Sequence, residues 1–413
     1  MKALRAVALD VSLLRRRRDL RLLTFGYAVS LAGGEFTIVA LAVQVYALTH
    51  STVAVGLLGI AEFVPIVLLA LLGGALADAF DRRRLILGAE AAAMLVSVGL
   101  VVNALAPHPR TGVLYAAAAL FAAANAVLRP PLDALLPRVV ERDELKAATA
   151  LNWSFSEIAT IGSPALAGVL IATAGVEWAY AIDVVSFCGS LLAFSRLRTP
   201  PPPPDAEPPS LRGVVAGVRY AFSRQELIGS YVVDINAMFF GMPFALFPAV
   251  AAGYGGTSVV GLLFAAPGVG SLIAMLTSGW SRHVHHHGRA IVLGASGWGL
   301  AIIGFGLADG LWLALVFLAL AGAGDAISGV FRGVLWNETI PDRLRGRLAG
   351  MEMISWSSGP TLGNAEAGIA ARLVGLRGSV ALGGALCVAG SVVLAVLLPR
   401  FWNYDSRAAA SDA

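Results

Sequence analysis

Long apolar segments follow one another along almost the whole chain, and short polar segments rich in arginine separate them. A helix needs about 20 mostly apolar residues to cross the hydrocarbon core of a bilayer. The pattern therefore predicts an all-α membrane protein with twelve transmembrane helices. Their predicted bounds are residues 22–48, 52–77, 85–106, 112–136, 146–173, 178–197, 227–252, 258–281, 289–308, 311–337, 347–371 and 378–399.

A proline-rich segment divides these helices into two sets of six. Residues 199–210 contain seven prolines, which is typical of a semi-rigid polyproline spacer. Short patterns also recur about 200 residues apart: Arg129–Pro137 resembles Arg332–Pro341. The repeat predicts two pseudo-symmetric six-helix bundles with a cavity between them near the middle of the membrane. The predicted divisions are residues 1–198, the linker 199–224, and residues 225–413.

The composition supports a membrane protein and sets its orientation. The chain of 413 residues is 57% hydrophobic and only 14% charged, whereas a soluble chain is about 25% charged. Most of the 30 Lys and Arg residues fall in the two termini, the linker and alternate loops. Because Lys and Arg concentrate in cytoplasmic loops, we expect a multi-pass protein of the inner membrane with both termini in the cytoplasm.

The segment before the first predicted helix has two open interpretations. Residues 9–21 combine leucines with a run of arginines, a pattern that fits a short interfacial helix on the inner leaflet. A solvated basic arm fits the same residues equally well. A nucleic-acid partner is not expected, since the arginine run directly adjoins a predicted membrane helix.

The segment Gly73–Arg84 joins the second and third predicted helices and combines small residues, aspartates and three arginines. It resembles the signature loop of the major facilitator superfamily, whose pattern is Gly-x-Leu-Ala-Asp-Arg-x-Gly-Arg-Arg. The resemblance implies a transporter with two six-helix bundles. Gly74, Leu76, Asp78, Arg82 and Arg83 match the pattern, and Ala79 and Asp81 depart from it.

The same resemblance implies a cytoplasmic gate. Arg129 and Asp133 are four residues apart on the fourth helix and share one face. The resemblance places Asp78 against residues 343–347, which begin the eleventh helix, and Arg82 against Asp133. Such contacts would hold the two bundles together on the inside in an outward-facing state. The alternative is that these are separate surface charges.

Proline and glycine recur at matching positions of the fifth and eleventh helices. Gly162, Pro164 and Gly168 resemble the antiporter motif of the superfamily, and Gly359, Pro360 and Gly363 come nearer its consensus. Proline removes a backbone hydrogen bond and glycine permits close packing, which suits a hinge. In the superfamily this motif is associated with export by proton antiport. The alternative is that both residues are simply frequent in membrane helices.

Several acidic residues lie within predicted helices, where charge is costly and therefore points to a cavity. Glu35 is the first candidate for proton coupling, followed by Asp234 and Asp325, with Glu62 and Glu157 as further cavity candidates. Arg332 follows Asp325 by two helical turns and could pair with a cavity carboxylate. For each acid the alternative is a hydrogen-bonded structural carboxyl.

The remaining motifs exclude common enzyme classes. The chain has no phosphate-binding Gly-x-x-x-x-Gly-Lys loop and no His-Glu-x-x-His pair, so we expect no enzyme, no metal and no cofactor beyond a proton gradient. His283, His285, His286 and His287 could bind a metal, but a solvated loop is favoured. Cys188 and Cys387 lie in apolar runs and are expected to be packed thiols.

Beyond the superfamily, the chain resembles the enterobactin exporter group. The similar segments include Leu9–Leu14, Leu48–Ser51, Val55–Leu57 and Leu276–Gly279. The resemblance implies a monomeric, proton-coupled exporter of an amphipathic small molecule, either a siderophore or a drug. Proton symport of a nutrient and a non-transporting lipid-binding or receptor role are the alternatives.

Overall fold

The computed structural model describes the backbone of residues 12–79, 81–141, 143–198, 219–340 and 342–407. Side chains are described there except at 70–79, 134, 146, 282, 342–347, 349–354 and 356. The helices are α1 Ser12–Arg16, α2 Arg18–Thr49, α3 Thr52–Ala79, α4 Arg82–Leu105, α5 Thr111–Leu135, α6 Leu145–Ala174, α7 Val176–Phe194, α8 Gln225–Phe240, α9 Phe247–Ala252, α10 Thr257–Leu276, α11 His287–Leu307, α12 Leu311–Thr339, α13 Asp342–Val374, α14 Leu376–Leu397 and α15 Pro399–Trp402.

The predicted all-α membrane fold is confirmed. Eleven stretches of helix in the described residues are long and apolar enough to cross a membrane. The helix α13 is not among them, because its middle is rich in Gly, Ser, Thr and Asn, although its 33 residues exceed the length of a span. It nevertheless packs lengthwise against α3. These small and polar residues face a neighbouring helix and the space between the bundles. Hydropathy is a poor guide to membrane spans there, because such residues do not contact lipid.

The seventh predicted span, residues 227–252, is confirmed as a candidate membrane span over Gln225–Ala252, but it is not one continuous helix. The helix α8 ends at Phe240, and a 3₁₀ turn over Phe244–Leu246 leads into α9. The cause is local, since proline at 243 lacks a backbone N–H and clashes with the preceding turn. Two side chains bind the freed backbone: Trp298 Nε1 donates to the Gly241 carbonyl at 2.9 Å, and Asn364 Oδ1 accepts from the Ala245 N–H at 2.9 Å.

The N-terminal segment is helical where it is described. In α1, Leu13 and Leu14 are buried and pack against Leu151 of α6. Arg17 separates α1 from α2 and forms ion pairs with Glu141 and Glu144. These contacts favour the helix over the solvated arm for residues 12–21, whereas residues 9–11 lie outside the described residues.

Buried carboxyl groups tie three helices of the first bundle together. Glu90 of α4 accepts hydrogen bonds from Ser30 of α2, at 2.8 Å, and from Ser190 of α7. Asp183 of α7 likewise accepts from Thr37 and Ser97, each at 2.7 Å. Both acids are fully buried. Hydroxyl donors satisfy both carboxyls within the bundle, as expected of structural carboxyl groups.

The two bundles meet through glycines at the ends of the helices predicted to face outward. A Cβ at Gly168 of α6 would lie 2.7 Å from the Gly261 Cα of α10, and one at Gly56 of α3 would lie 2.5 Å from the Asn364 carbonyl oxygen of α13. The Thr52 hydroxyl donates to the Gly368 carbonyl at 3.2 Å across the same interface. Small residues allow this close approach of backbones.

We expect the substitution Gly261→Val to destabilise this contact. Its side chain would overlap the backbone of α6, and overpacking of this kind costs about 1–3 kcal/mol. Thermal unfolding of the purified protein should therefore occur at a lower temperature. The control is Gly99→Val, where an added Cβ meets nothing within 4 Å. Equal unfolding temperatures for the two variants would contradict the close packing.

Candidate functional site

A cavity of about 690 Å³ lies between the two bundles. Helices of both halves line it, and most of the lining side chains are apolar. This volume falls in the range of sites for drug-sized ligands, roughly 300–1,000 Å³. A few charged and polar groups interrupt the apolar lining; the charged ones are Glu35, Glu62, Arg129, Asp234, Asp325 and Arg332.

The cavity wall of the second bundle carries a cluster of three charges. Arg332 of α12 forms an ion pair with Asp234 of α8 through Nη1, and its Nη2 lies 3.4 Å from Asp325 Oδ1. The Ser355 hydroxyl of α13 donates to the other Asp234 oxygen at 3.2 Å. Arg332 therefore joins two carboxylates on two helices, and α13 supports one of them.

The two carboxylates of this cluster differ in exposure. The side chain of Asp234 is 2% exposed, whereas that of Asp325 is 41% exposed, and that of Arg332 is 12% exposed. Asp234 is thus a fixed counterion held by two partners. Asp325 faces the open cavity, where water and solutes can reach it, and its contact with Arg332 is the longer of the two.

The wall of the first bundle carries Glu35 on α2, Glu62 on α3 and Arg129 on α5. Both glutamates are partly buried, and Arg129 is exposed. Asp133, one turn after Arg129, is also exposed. This wall thus holds carboxyls and a guanidinium that face the cavity or its predicted cytoplasmic mouth.

Glu157, which was expected in the cavity, does not line it. Its carboxyl hydrogen-bonds Ser271 of α10 at the contact between the bundles. The residue is half-buried there. Thr160 and Pro164, one and two turns further along α6, are the residues of this helix that reach the cavity. Glu157 lies on the same face of α6 as these two residues, but the cavity lining on this helix begins one turn later, at Thr160, beyond the point where Glu157 bonds α10.

Parts of the predicted cytoplasmic gate lie outside the described side chains, namely those of Gly74, Asp78 and residues 343–347. Arg82 is the first residue of α4. Arg83 donates to the Ser195 carbonyl at the end of α7, within the first bundle. This contact fixes α4 to α7 at the predicted cytoplasmic side.

The predicted hinge residues occupy three kinds of position. Pro164 and Pro360 line the cavity. Gly168 packs on α10 as described above, and the glycines at 359 and 363 pack on α8, where a Cβ would lie 2.5 Å from Met238 Cβ and 2.5 Å from the Phe239 carbonyl oxygen, respectively. At Gly162 an added Cβ would meet nothing within 4 Å.

The predicted solvated histidine loop is wrong for His287. This residue begins α11, is 5% exposed and lies between the rings of Phe331 and Tyr404. In the described part of the chain, no group of three or more His, Cys, Asp or Glu residues could hold a metal ion. The histidine run is therefore partly a packed element of the second bundle.

Sequence reasoning missed several polar residues of the site. Ser355 supports Asp234, and Asn364 both lines the cavity and caps the break after α8. Neither belongs to a charged motif, so only their position in a low-hydropathy helix could have signalled them. Asn125 and Thr361 also line the cavity as uncharged polar residues that belong to no charged motif.

The whole chain is similar to a known family of membrane transporters. The family model described as transmembrane secretion effector matches residues 16–412. The enterobactin exporter EntS of Shigella boydii serotype 18 (strain CDC 3083-94 / BS512) is 30% identical over 421 residues, with 98% of each chain covered. The protein of the same name from Escherichia coli O1:K1 / APEC has the same identity and coverage.

Solved transporters share the fold. The crystal structure of a POT family transporter in complex with 5-aminolevulinic acid has a TM-score of 0.74 at 10% identity, covering 93% of this chain and 97% of that chain. A bacterial homologue of the human lysosomal transporter Spinster, in an inward-facing and unoccupied conformation, has a TM-score of 0.69 at 15% identity, covering 95% and 97%. At such low identities the similarity shows the fold alone.

We expect Asp234→Asn to destabilise the protein far more than Asp325→Asn. Removing one partner of a buried ion pair costs about 3–5 kcal/mol, whereas Asp325 is more exposed and its contact with Arg332 is longer, so its loss should cost less. Thermal unfolding in detergent measures both. The double variant Asp234→Asn/Arg332→Gln should regain part of the loss, since it no longer leaves a buried guanidinium unpaired. Equal destabilisation by the two single variants would contradict the assignment of Asp234 as the fixed counterion.

Proposed function

We propose that this chain, which belongs to the transmembrane secretion effector family of the major facilitator superfamily, is an exporter. It exports an amphipathic small molecule in exchange for protons. The observation that carries the proposal is Arg332, held between the buried Asp234 and the cavity-facing Asp325. A carboxylate that water can reach, beside a fixed cation, is a site where gain of a proton changes a contact between charges.

The proton-coupling residue that we infer is Asp325. In its charged form it attracts Arg332, and in its protonated form that attraction is lost. Because Arg332 also binds Asp234 of α8, a proton on Asp325 alters the contacts between α8 and α12. Glu35, the first candidate from sequence, has no ion pair with a cation in the described residues, so its protonation would not act on such a contact.

The proposed cycle alternates access to the one cavity. Close glycine contacts join the two bundles at the predicted outer side. Arg129, near the predicted cytoplasmic side of the cavity, is exposed. Both features support a state in which the cavity opens to the cytoplasm. In this state Asp325 releases its proton to the cytoplasm, pairs with Arg332, and cargo enters. In the outward-facing state cargo leaves and a proton from outside returns to Asp325.

The cargo that we propose is a siderophore of the enterobactin type. The relatives at 30% identity are named for export of enterobactin. The cavity of about 690 Å³ is large enough for a molecule of drug size or somewhat larger, and its mostly apolar lining suits an amphipathic one. Its few polar groups then fix the orientation of the molecule.

The test is transport of metal-free enterobactin into inverted membrane vesicles that contain the protein. An interior more acidic than the medium should drive accumulation, and a protonophore should abolish it. Proton symport for uptake would instead give accumulation when the gradient is reversed. Absence of flux under either gradient would favour a non-transporting protein and overturn the proposal.

We expect Asp325→Asn to lose gradient-driven accumulation by about tenfold or more, since proton and cargo binding can no longer be coupled. Exchange of labelled for unlabelled enterobactin, which needs no change of protonation, should persist. The control is Asp309→Asn, an exposed acid paired with Arg377 far from the cavity. Retained accumulation in Asp325→Asn, with loss in Glu35→Gln, would assign the coupling to Glu35 instead.

A further inference from the structure

The charge cluster of the cavity wall belongs to the second bundle alone. Arg332 and Asp325 lie on α12, and Asp234 lies on α8. A proton on Asp325 therefore acts first within that bundle. Alternating access, however, requires the two bundles to move against each other. If protons drive this movement, a residue of the first bundle has to respond to the charge on Asp325.

A row of contacts joins α6 of the first bundle to α10 of the second. Its outer part is the glycine contact described above. Toward the predicted cytoplasmic side, a Cβ at Gly268 of α10 would lie 2.5 Å from Ile161 Cγ1 of α6. One turn further in that direction, the Ser271 hydroxyl donates a hydrogen bond to the Glu157 carboxyl. Glu157 thus extends the contact between the bundles with a charged group.

The helix α10 packs just as closely against α12 on its other side. A Cβ at Gly270 would overlap the backbone of α12, and one at Gly322 would overlap the backbone of α10. Ser271 directly follows the first of these glycines, and Asp325 follows the second by three residues. Ser271 and Asp325 therefore lie just past the same close approach of the two helices, at similar depth in the membrane.

Glu157 and Asp325 approach this point from different bundles. Their carboxylates act on each other as like charges. Asp325 faces the cavity, where water reaches it, whereas Glu157 is held at α10 outside the cavity lining. Whenever both are charged, their repulsion opposes the approach of α6 to the second bundle. A proton on Asp325 removes that repulsion.

The cation next to Asp325 does not cancel this repulsion. Arg332 lies 3.4 Å from Asp325, but it also pairs with Asp234. The three side chains together carry one negative charge when Asp325 is charged and none when it is protonated. The helix α10, which lies between Asp325 and Glu157, has no charged residue.

Other charges on the neighbouring helices act elsewhere. On α2, Glu35 lines the cavity from the first bundle, and on α7 hydroxyl groups bind Asp183. On α11, His287 and Arg289 lie at the predicted cytoplasmic end and contact other partners there. Among the described residues none of these four groups forms an ion pair or hydrogen bond with Glu157 or with Asp325.

We infer that Glu157 is a positioning residue that transmits the charge state of Asp325 to the contact between the bundles. When Asp325 is charged, Glu157 is repelled and its contact with Ser271 loosens; when Asp325 is protonated, the contact tightens. The tighter contact is therefore present at low pH and is lost as the pH rises through the range in which Asp325 releases its proton. The role assigned to Glu157 rests on the proposed proton-driven export and names the responding residue of the first bundle.

Spin labels at Trp153→Cys on α6 and Leu276→Cys on α10 measure the separation of these helices in the full chain, with Cys188 and Cys387 replaced by alanine. Both labelled sites are exposed and lie on the predicted cytoplasmic side of Glu157. In the parent protein in lipid nanodiscs, we expect the share of long distances to rise about threefold or more from about pH 5 to about pH 8, a range in which partly buried carboxyls titrate.

Glu157→Gln keeps a hydrogen-bond partner for Ser271 but removes the charge, so the share of long distances should stay low at both pH values. Asp325→Asn should lose the response to pH in the same way. A purely structural role of Glu157 would leave that response in place. The matched control is Glu366→Gln, a partly buried glutamate of α13 outside the cavity lining, which should respond to pH like the parent protein.

Failure of this role and failure of the proposed function give different results. Loss of the response in Asp325→Asn, with a full response in Glu157→Gln, would overturn the role of Glu157 alone. A parent protein without any response, or a full response in Asp325→Asn, would contradict coupling at Asp325 and this role with it. Loss of the response in Glu366→Gln as well would show an unspecific effect and also overturn the role.

Ser271→Ala gives a second test that leaves both carboxylates in place. Without its hydroxyl donor, Glu157 is no longer held at α10, and the share of long distances should rise about twofold at about pH 5. An unchanged distribution in this variant would show that the hydrogen bond does not hold the two helices together, and it would overturn the role of Glu157.

Discussion

An arginine inside a membrane-spanning bundle must keep a carboxylate within reach, because an unpaired guanidinium there costs several kcal/mol. Arg332 meets this requirement with Asp234, which Ser355 holds in place from a third helix. Three helices are therefore joined at the cavity wall by one charge. Because Asp234 already pairs with Arg332, Asp325 is not needed as its counterion. Asp325 can therefore gain or lose a proton while the guanidinium keeps a carboxylate partner.

The two bundles share a fold but use their buried polar groups differently. In the first bundle, hydroxyl groups satisfy Glu90 and Asp183, and neither acid lines the cavity. In the second bundle, the buried Asp234 is neutralised by a cation instead. A carboxyl bonded to hydroxyls can be stable in either protonation state without moving a neighbour, whereas an ion pair changes strength with each proton. This difference is the reason for proposing the coupling site in the second half of the repeat.

Apolar length predicted the helices well, since the thickness of the bilayer fixes the length of a span. Only Gly241 and Pro243 indicate the helix break after Phe240 in the sequence. Hydropathy averaged over the length of a span does not reveal two such residues. Which acid lines the cavity depends on where neighbouring helices close against each other, and Glu157, on the same face of α6 as Thr160 and Pro164 but outside the lining, shows that sequence position alone does not give it. His287 was misjudged because its burial comes from Phe331 and Tyr404, which are distant in sequence.

The closure at the predicted outer side contains no ion pair among the described residues. It is built from backbone contacts at Gly168, Gly261 and Gly56, with one hydrogen bond from Thr52 to Gly368. Dispersion contacts of this kind are individually small and can be separated without stranding a charge in the membrane. Opening the outer side therefore breaks many weak contacts, and none of them changes in strength when a proton binds. In the proposed cycle the contact whose strength a proton does alter, between Arg332 and Asp325, must then decide which side of the cavity is open.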